Sequence, residues 1–269
     1  MGEAIIGALL RAGVSTPEEL LVSDNNQERL KYIEKNYSTG IAENNFALFQ
    51  QSDIIILAVK PQVMEPVISE ITAAERYSSC SGRRLIISIA AGIPLSKLEA
   101  LFYSPSGNEE TKTMPIIRVM PNTPALVLSG MSGMSGNQYA TVEDMRTAET
   151  ILAAMGTVVT VEEKEMDAVT AVSGSGPAYV FFLAESMIEA GLSLGLEPDK
   201  AVTLTMKTIE GAFKLMQDSA DPPETLRKKV TSPGGTTEAA FQILSKNRVK
   251  ETFVTAIARA AERSRELSR

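Results

Sequence analysis

The 269 residues, 44% of them hydrophobic, provide enough chain for two ordinary domains with buried cores, and the net charge of −7 argues against a nucleic-acid or anionic-membrane partner. A small-molecule partner is expected instead. A single cysteine, Cys80, leaves no disulfide framework or thiolate metal site and fits a reducing, cytoplasmic compartment, while the absence of histidine removes the commonest acid, base and metal ligand at once.

The opening "MGEAIIGALLRAG" carries Glu3 where an export signal would carry Lys or Arg, and Ile6 where a myristoylation motif needs Ser or Thr. No apolar run reaches the length of a bilayer span. Residues 4–11 read as a helix, 20–24 ("LLVSD") as a strand and 26–36 as a helix. The run "DIIILAV" (53–59), with three adjacent isoleucines, has the character of a strand buried on both faces. A helix over 63–74, a strand over 84–90 and a strand over 115–120 follow. A Gly/Ser/Met-rich passage (129–136) and a helix over 142–155 lead into "TVVTV" (157–161), the expected far edge of the sheet. Strands separated by helices imply an α/β domain with a doubly wound parallel sheet over residues 1–161.

Residues 162–269 show no strand pattern. Helices are expected over 164–172, 177–194, 198–217, 222–228, 236–244 and 248–266, with Pro177, Pro198 and Pro222 at starts where a missing N–H costs nothing. The Ala, Leu, Met and Val content of this all-α half calls for burial, most economically against a second copy of the chain.

In an open parallel sheet, ligands bind beyond the carboxyl ends of the strands. There the sequence places Lys60-Pro61, Ala90-Ala91-Gly92 and Pro121-Asn122-Thr123-Pro124, three compact turns that let a flat ligand approach the backbone. Asp24 ends its strand where an acidic residue can hydrogen-bond the adenosine ribose of NADH, or simply cap the next helix. Asn25, Asn26 and Arg29 beside it would instead suit the 2′-phosphate of NADPH. A dinucleotide fold is expected to open with a strand and a G-x-G-x-x-G turn; here the chain runs directly into a helix, with Gly2 as the last glycine of such a turn. Without that central strand, two neighbouring strands lack hydrogen-bond partners.

The stretch "VTSPGGTTEAAFQIL" (230–244) admits two readings. It is a plain helix start, or its paired glycines let several N–H groups converge on one carboxylate or phosphate with help from the helix dipole.

The strings "DAVTAVSGSGPAYVFFLAESMIEAGLSLGL" (167–196), "LAVKPQ", "RVMPNTP" and "VTSPGGTTEAA" resemble pyrroline-5-carboxylate reductase, which completes proline synthesis. The resemblance spans the chain apart from the first strand and its glycine turn. It implies a Rossmann domain, an all-α dimerisation domain in a homodimer or larger assembly, and reduction of pyrroline carboxylate to L-proline by NADPH or NADH. It further implies that the N–H groups of Ser232, Gly234, Gly235 and Thr236 hold the substrate carboxylate. The Thr237 hydroxyl would contact the ring nitrogen or the nicotinamide amide, and Ser173 would belong to the facing wall, residues 173–177. On the cofactor side, Asn45 falls near the adenine, Ala58, Val59, Lys60 and Pro61 along the dinucleotide, Ala91 and Gly92 near the nicotinamide ribose, and Asn122 at the nicotinamide end.

The residues favour imine over carbonyl reduction on their own account. Related two-domain hydroxy-acid dehydrogenases carry Lys and Asn on the helix after the glycine-rich start, where this chain has Val180 and Leu183. A protonated imine accepts hydride without a proton relay. Two other readings stand beside this one: a hydroxy-acid dehydrogenase of related architecture, and a non-catalytic dimerising protein with an incomplete dinucleotide fold. A 232–237 segment remote from the mouth of the sheet, or already occupied by a protein side chain, would end the case for the substrate assignment.

Overall fold

The structure, a computed structural model, describes residues 1–73, 77, 80, 82–103 and 114–268. They divide into two compact units, Met1–Ser175 with Ala260–Arg269, and Gly176–Arg259. The division falls beyond the expected 161/162 boundary because residues after β7 (Gly156–Thr160) turn back onto the sheet, where Val169 packs on Gly133.

The first unit opens with α1 (Gly2–Ala12), which buries Ile5, Ala8 and Leu9 and ends at Gly13 in the left-handed conformation, φ 65°. Strand β1 (Leu21–Val22) pairs in parallel with β2 (Gly40–Ile41), with α2 (Gln27–Tyr37) between them. After α3 (Asn45–Gln51) comes a five-stranded sheet of order β3-β4-β5-β6-β7. Its members are β3 (Ile54–Leu57), β4 (Leu85–Ser88), β5 (Ile116–Met120), β6 (Gly130–Gly136) and β7. Connecting helices are α4 (Met64–Thr72), α5 (Leu95–Tyr103) and α6 (Val142–Ala153). Isoleucines alternate between faces. Ile55, Ile86 and Ile116 join Phe49, Ile68 and Leu98 in one core layer; Ile87, Ile117 and Val119 join Ile5, Leu9 and Leu152 in the other.

The sheet is mixed rather than parallel throughout. β6 runs antiparallel to β5, with Arg118 opposite Ser135, because only residues 121–129 connect them and so short a link cannot cross the sheet. The passage "GMSGMSG" lacks β-branched residues and carries no strand signal; close approach selects it instead. A Cβ on Gly130 would lie 2.9 Å from Ala125, and one on Gly133 would lie 2.6 Å from the Val169 side chain. β1 and β3 each end a separate sheet, with one hydrogen-bonded neighbour apiece among the described residues, as expected without a strand between them.

Other departures have local causes. The expected strand over 20–24 shortens to two residues, and β2, α3 and α5 come from segments too short or too mixed to show periodicity. The expected helix over 164–172 becomes a single turn, α7 (Met166–Val169), followed by a π-type turn, Thr170–Gly174, with the Ser175 N–H donating to Thr170 O at 2.8 Å. The last position of the expected 63–74 helix lies outside the described residues.

The second unit contains α8 (Gly176–Ser193), α9 (Pro198–Asp218), α10 (Pro223–Lys229), α11 (Thr236–Lys246) and most of α12 (Val249–Leu267). Tyr179 and Phe253 meet edge to face at 5.6 Å, joining α8 to α12. α8 has no fully buried residue, and Phe181, Phe182 and Leu183 are 65%, 64% and 53% exposed. That apolar exposure on an 18-residue helix is the mark of an interaction surface.

Candidate active site

The carboxyl ends of β3, β4 and β5 lie on one edge of the first unit, and the expected cofactor residues of those turns gather there. Ala58 and Lys60 are exposed after β3, Pro61 begins a short 3-10 turn, and Val59 is half-buried. Gly2 is the first residue of α1, and a Cβ on it would approach the Ala58 Cβ to 3.3 Å, so the helix start and the end of β3 nearly touch. After β4, Ala91 is exposed and Gly92 holds φ 74°. The small side chains, the helix N-terminus and the exposed lysine fit an elongated dinucleotide carrying phosphates.

Asn122, after β5, is anchored on both ends of its amide. Its Oδ1 accepts the Met131 N–H at 2.9 Å and its Nδ2 donates to Ser173 O at 3.2 Å. This joins Ser173 to the strand edge. The Ser173 hydroxyl donates to Val169 O at 3.0 Å, and a Cβ on Gly174 would lie 2.5 Å from the Met120 methyl. The glycine in "SGSG" therefore permits the turn to close on the end of β5.

At the other end, Asn26 rather than Asp24 caps α2 by accepting the Arg29 N–H at 3.1 Å. Asp24 Oδ1 accepts the Asn26 N–H at 2.8 Å, and Asn25 is exposed beside it. Arg29 pairs with the Glu3 carboxylate and lies 5.0 Å from the Tyr32 ring centre. Hydrogen bonds from Arg29, then from Tyr37, hold the Glu3 carboxyl below its ordinary range. Asn45 opens α3 and binds Glu70 of α4 twice, through N–H at 3.0 Å and Nδ2 at 2.6 Å.

The 232–237 segment lies in the second unit. Gly235 is the N-cap of α11, Thr236 and Thr237 are its first residues, and Gly234 holds φ 71°. The Gly235 N–H donates to Ser232 O at 3.0 Å, closing a turn. The Gly234 N–H donates to Glu238 Oε2 at 2.8 Å. Two of the four expected carboxylate donors are thus engaged within the chain, and the Glu238 side chain already occupies the cradle at Gly234, which counts against an open carboxylate site in this arrangement of the turn. The sequence carries the signal for this: an acidic residue in the first turn of a helix reaches back to the amides that precede it.

Among the described residues, no group of three His, Cys, Asp or Glu side chains is placed to hold a metal ion. Nor is any helix of the described residues long and apolar enough to cross a membrane.

The family described as pyrroline-5-carboxylate reductase dimerisation matches residues 163–267, and the family described as NADP oxidoreductase, coenzyme F420-dependent, matches residues 1–92. Pyrroline-5-carboxylate reductase from Methanosarcina acetivorans is 37% identical over 269 residues, covering 100% of this chain and 95% of that protein. The Pseudomonas aeruginosa enzyme is also 37% identical, covering 100% and 93%. In structure, the chain is similar to Plasmodium falciparum pyrroline carboxylate reductase with NADP bound, with TM-score 0.85, 32% identity and coverage of 100% and 95%. It is equally similar to the Coxiella burnetii pyrroline-5-carboxylate reductase, with TM-score 0.85, 31% identity and coverage of 100% and 95%. Full-length similarity at this level, to relatives with one shared activity, settles the lineage: this chain belongs to the pyrroline-5-carboxylate reductase family.

Proposed function

We propose that this protein reduces 1-pyrroline-5-carboxylate to L-proline with NADPH or NADH. The observation that carries the reading is the full-length match to reductases of this one substrate, in a chain without histidine whose α8 presents Val180 and Leu183 instead of proton-transferring groups. When bound, the nicotinamide supplies a hydride. The imine carbon receives it, the C=N π electrons move to a nitrogen that already carries its proton, and no side chain has to deliver one.

The remaining work is binding and orientation. In this reading Gly2, Asp24, Asn25, Asn45, Ala58, Val59, Lys60, Pro61, Ala91, Gly92 and Asn122 hold the dinucleotide. The amides of Ser232, Gly234, Gly235 and Thr236 receive the substrate carboxylate, with Thr237 at the ring nitrogen and Ser173 on the facing wall. The carboxylate of Glu238 then has to leave the Gly234 N–H as the substrate arrives. Residues 1–161 serve the dinucleotide, and residues 162–269 serve the substrate and a homodimer in which a second copy covers Phe181 and Phe182. The single cysteine suits a cytoplasmic setting.

The test is a rate measurement with pyrroline carboxylate and each reduced nicotinamide, alongside a panel of 2-keto acids. Turnover of the imine alone supports the reading. Turnover of the keto acids alone would replace it with a hydroxy-acid dehydrogenase, and no binding of either nicotinamide would leave a non-catalytic protein.

A further inference from the structure

Arg118 and Glu163 take no part in the chemistry described above, yet they meet beside the loop that joins β4 to α5. Arg118 lies in β5, in register with Ser88 of β4 and Ser135 of β6, and is 4% exposed. A guanidinium does not deprotonate, so its burial demands a counter-charge. Glu163 provides it: Oε1 lies 2.7 Å from the Arg118 Nη1. The same oxygen accepts the Leu95 N–H at 3.1 Å. Leu95 is the first residue of α5, whose leading N–H groups have no partner within the helix. The second oxygen, Oε2, is buried and makes no hydrogen bond among the described residues, so the hold of this carboxylate is concentrated at Oε1.

The loop is held from another side as well. A Cβ on Gly92 would lie 3.4 Å from the Leu267 Cβ, so the last turn of α12 packs directly on that glycine. This turn is tied down where the Ser264 hydroxyl donates to Asp167 Oδ1 at 2.7 Å. Residues far along the chain thus brace residues 90–95 at two points, the glycine and the start of the helix.

We propose that Glu163 is a positioning residue for the nicotinamide end of the bound dinucleotide, acting through the loop that it ties to Arg118. The inference rests on the proposed role of Ala91 and Gly92 beside the nicotinamide ribose. Replacing Glu163 frees the Leu95 N–H and leaves Arg118 buried without its counter-charge, which loosens the loop where the reacting ring must be placed. Small displacements of a reacting group cost rate steeply, on the order of 100-fold for about 1 Å.

The test compares the parent protein, Glu163→Ala and the double variant Arg118→Met/Glu163→Gln by steady-state kinetics, NADPH fluorescence titration and inhibition by 2′,5′-ADP, which carries only the adenosine half. Glu163→Ala is expected to weaken NADPH roughly tenfold and lower kcat by about as much, with 2′,5′-ADP inhibition unchanged within about twofold. The double variant removes the buried charge with its partner and keeps an amide oxygen for Leu95, so it should recover NADPH binding to within about threefold of the parent. NADPH binding by Glu163→Ala equal to the parent's would overturn the proposal, as would equal losses for NADPH and 2′,5′-ADP, which signify a general structural role. If the parent binds NADPH but does not reduce pyrroline carboxylate, the substrate reading fails while the binding comparison still decides the role of Glu163. A parent that binds neither NADPH nor NADH refutes both.

Discussion

The carboxylate of Glu238 sits 2.8 Å from the Gly234 N–H, in the turn where the substrate carboxylate is proposed to bind. In the proposed function, substrate and side chain compete for one donor. Glu238→Ala is expected to lower the KM for pyrroline carboxylate by about threefold. It should also cost about 0.5–1 kcal/mol of stability, because the start of α11 loses a favourable acidic contact. A higher KM would show that Glu238 supports the turn instead of competing for it.

Thr237 is the second residue of α11. Thr237→Val nearly preserves volume at a helix start but deletes the hydroxyl proposed to meet the ring nitrogen. Imine reduction should fall by at least about tenfold in kcat/KM, equivalent to about 1.4 kcal/mol of transition-state stabilisation. Thermal unfolding should move by no more than a few degrees, corresponding to less than about 1 kcal/mol. Parent-like turnover would refute the assignment.

Gly156 and Gly174 separate two kinds of steric demand. A Cβ on Gly156 would lie 2.1 Å from the Gly130 carbonyl oxygen, at φ 145°, so both backbone and neighbour resist it. Gly156→Ala should cost about 3 kcal/mol or more in urea unfolding. The three atoms nearest a Cβ on Gly174 all belong to the flexible side chain of Met120, whose methyl is closest at 2.5 Å. Gly174→Ala should cost about 1 kcal/mol and show itself in a raised cofactor KM, because Met120 and Asn122 lie together at the end of β5.

Asp144 makes part of the stability depend on pH. Hydrogen bonds from the Arg83 guanidinium, then from Thr141, pull its carboxyl from 3.8 down to about 2. A depressed pKa stabilises the fold above the unfolded value, and the contribution is lost as pH falls from about 4 towards 2. Since the Arg83 side chain is 50% exposed, the contribution is discounted to about 1–2 kcal/mol. Asp144→Asn should destabilise the protein at pH 7, and the gap to the parent should close between pH 4 and pH 2 in acid unfolding followed by circular dichroism.

Phe182 is 64% exposed on α8. If a second copy covers it, Phe182→Glu buries a charge at the interface, and sedimentation velocity should show a shift toward monomer at micromolar concentration. An unchanged sedimentation coefficient would place the interface elsewhere.

Much of the architecture is legible from local pattern. "IIIL" reads as a strand because β-branched side chains fit a sheet, and β3 follows. Only Ile55 and Leu57 are buried, however: Ile54 is exposed and Ile56 half-buried, since β3 ends its sheet, so the expected burial on both faces is not met. Pro198 opens α9 as its lack of an N–H predicts. By contrast, "GMSGMSG" shows nothing of β6, since its glycines answer to Ala125 and Val169, which arrive from other parts of the chain. The strand-end turns are visible as compact Gly/Pro segments, but the anchoring of Asn122 to Ser173 is not.

By itself, the sequence determined the α/β half, the helical half, the absence of imidazole chemistry and the family likeness, because composition, periodicity and motif spacing are properties of neighbouring residues. Only the tertiary structure decided that β6 runs antiparallel to β5, that Glu163 meets the buried Arg118, and that the last turn of α12 packs on Gly92. Those outcomes depend on which distant groups come within hydrogen-bond or van der Waals range, and each is set by burial of the whole core rather than by any local preference.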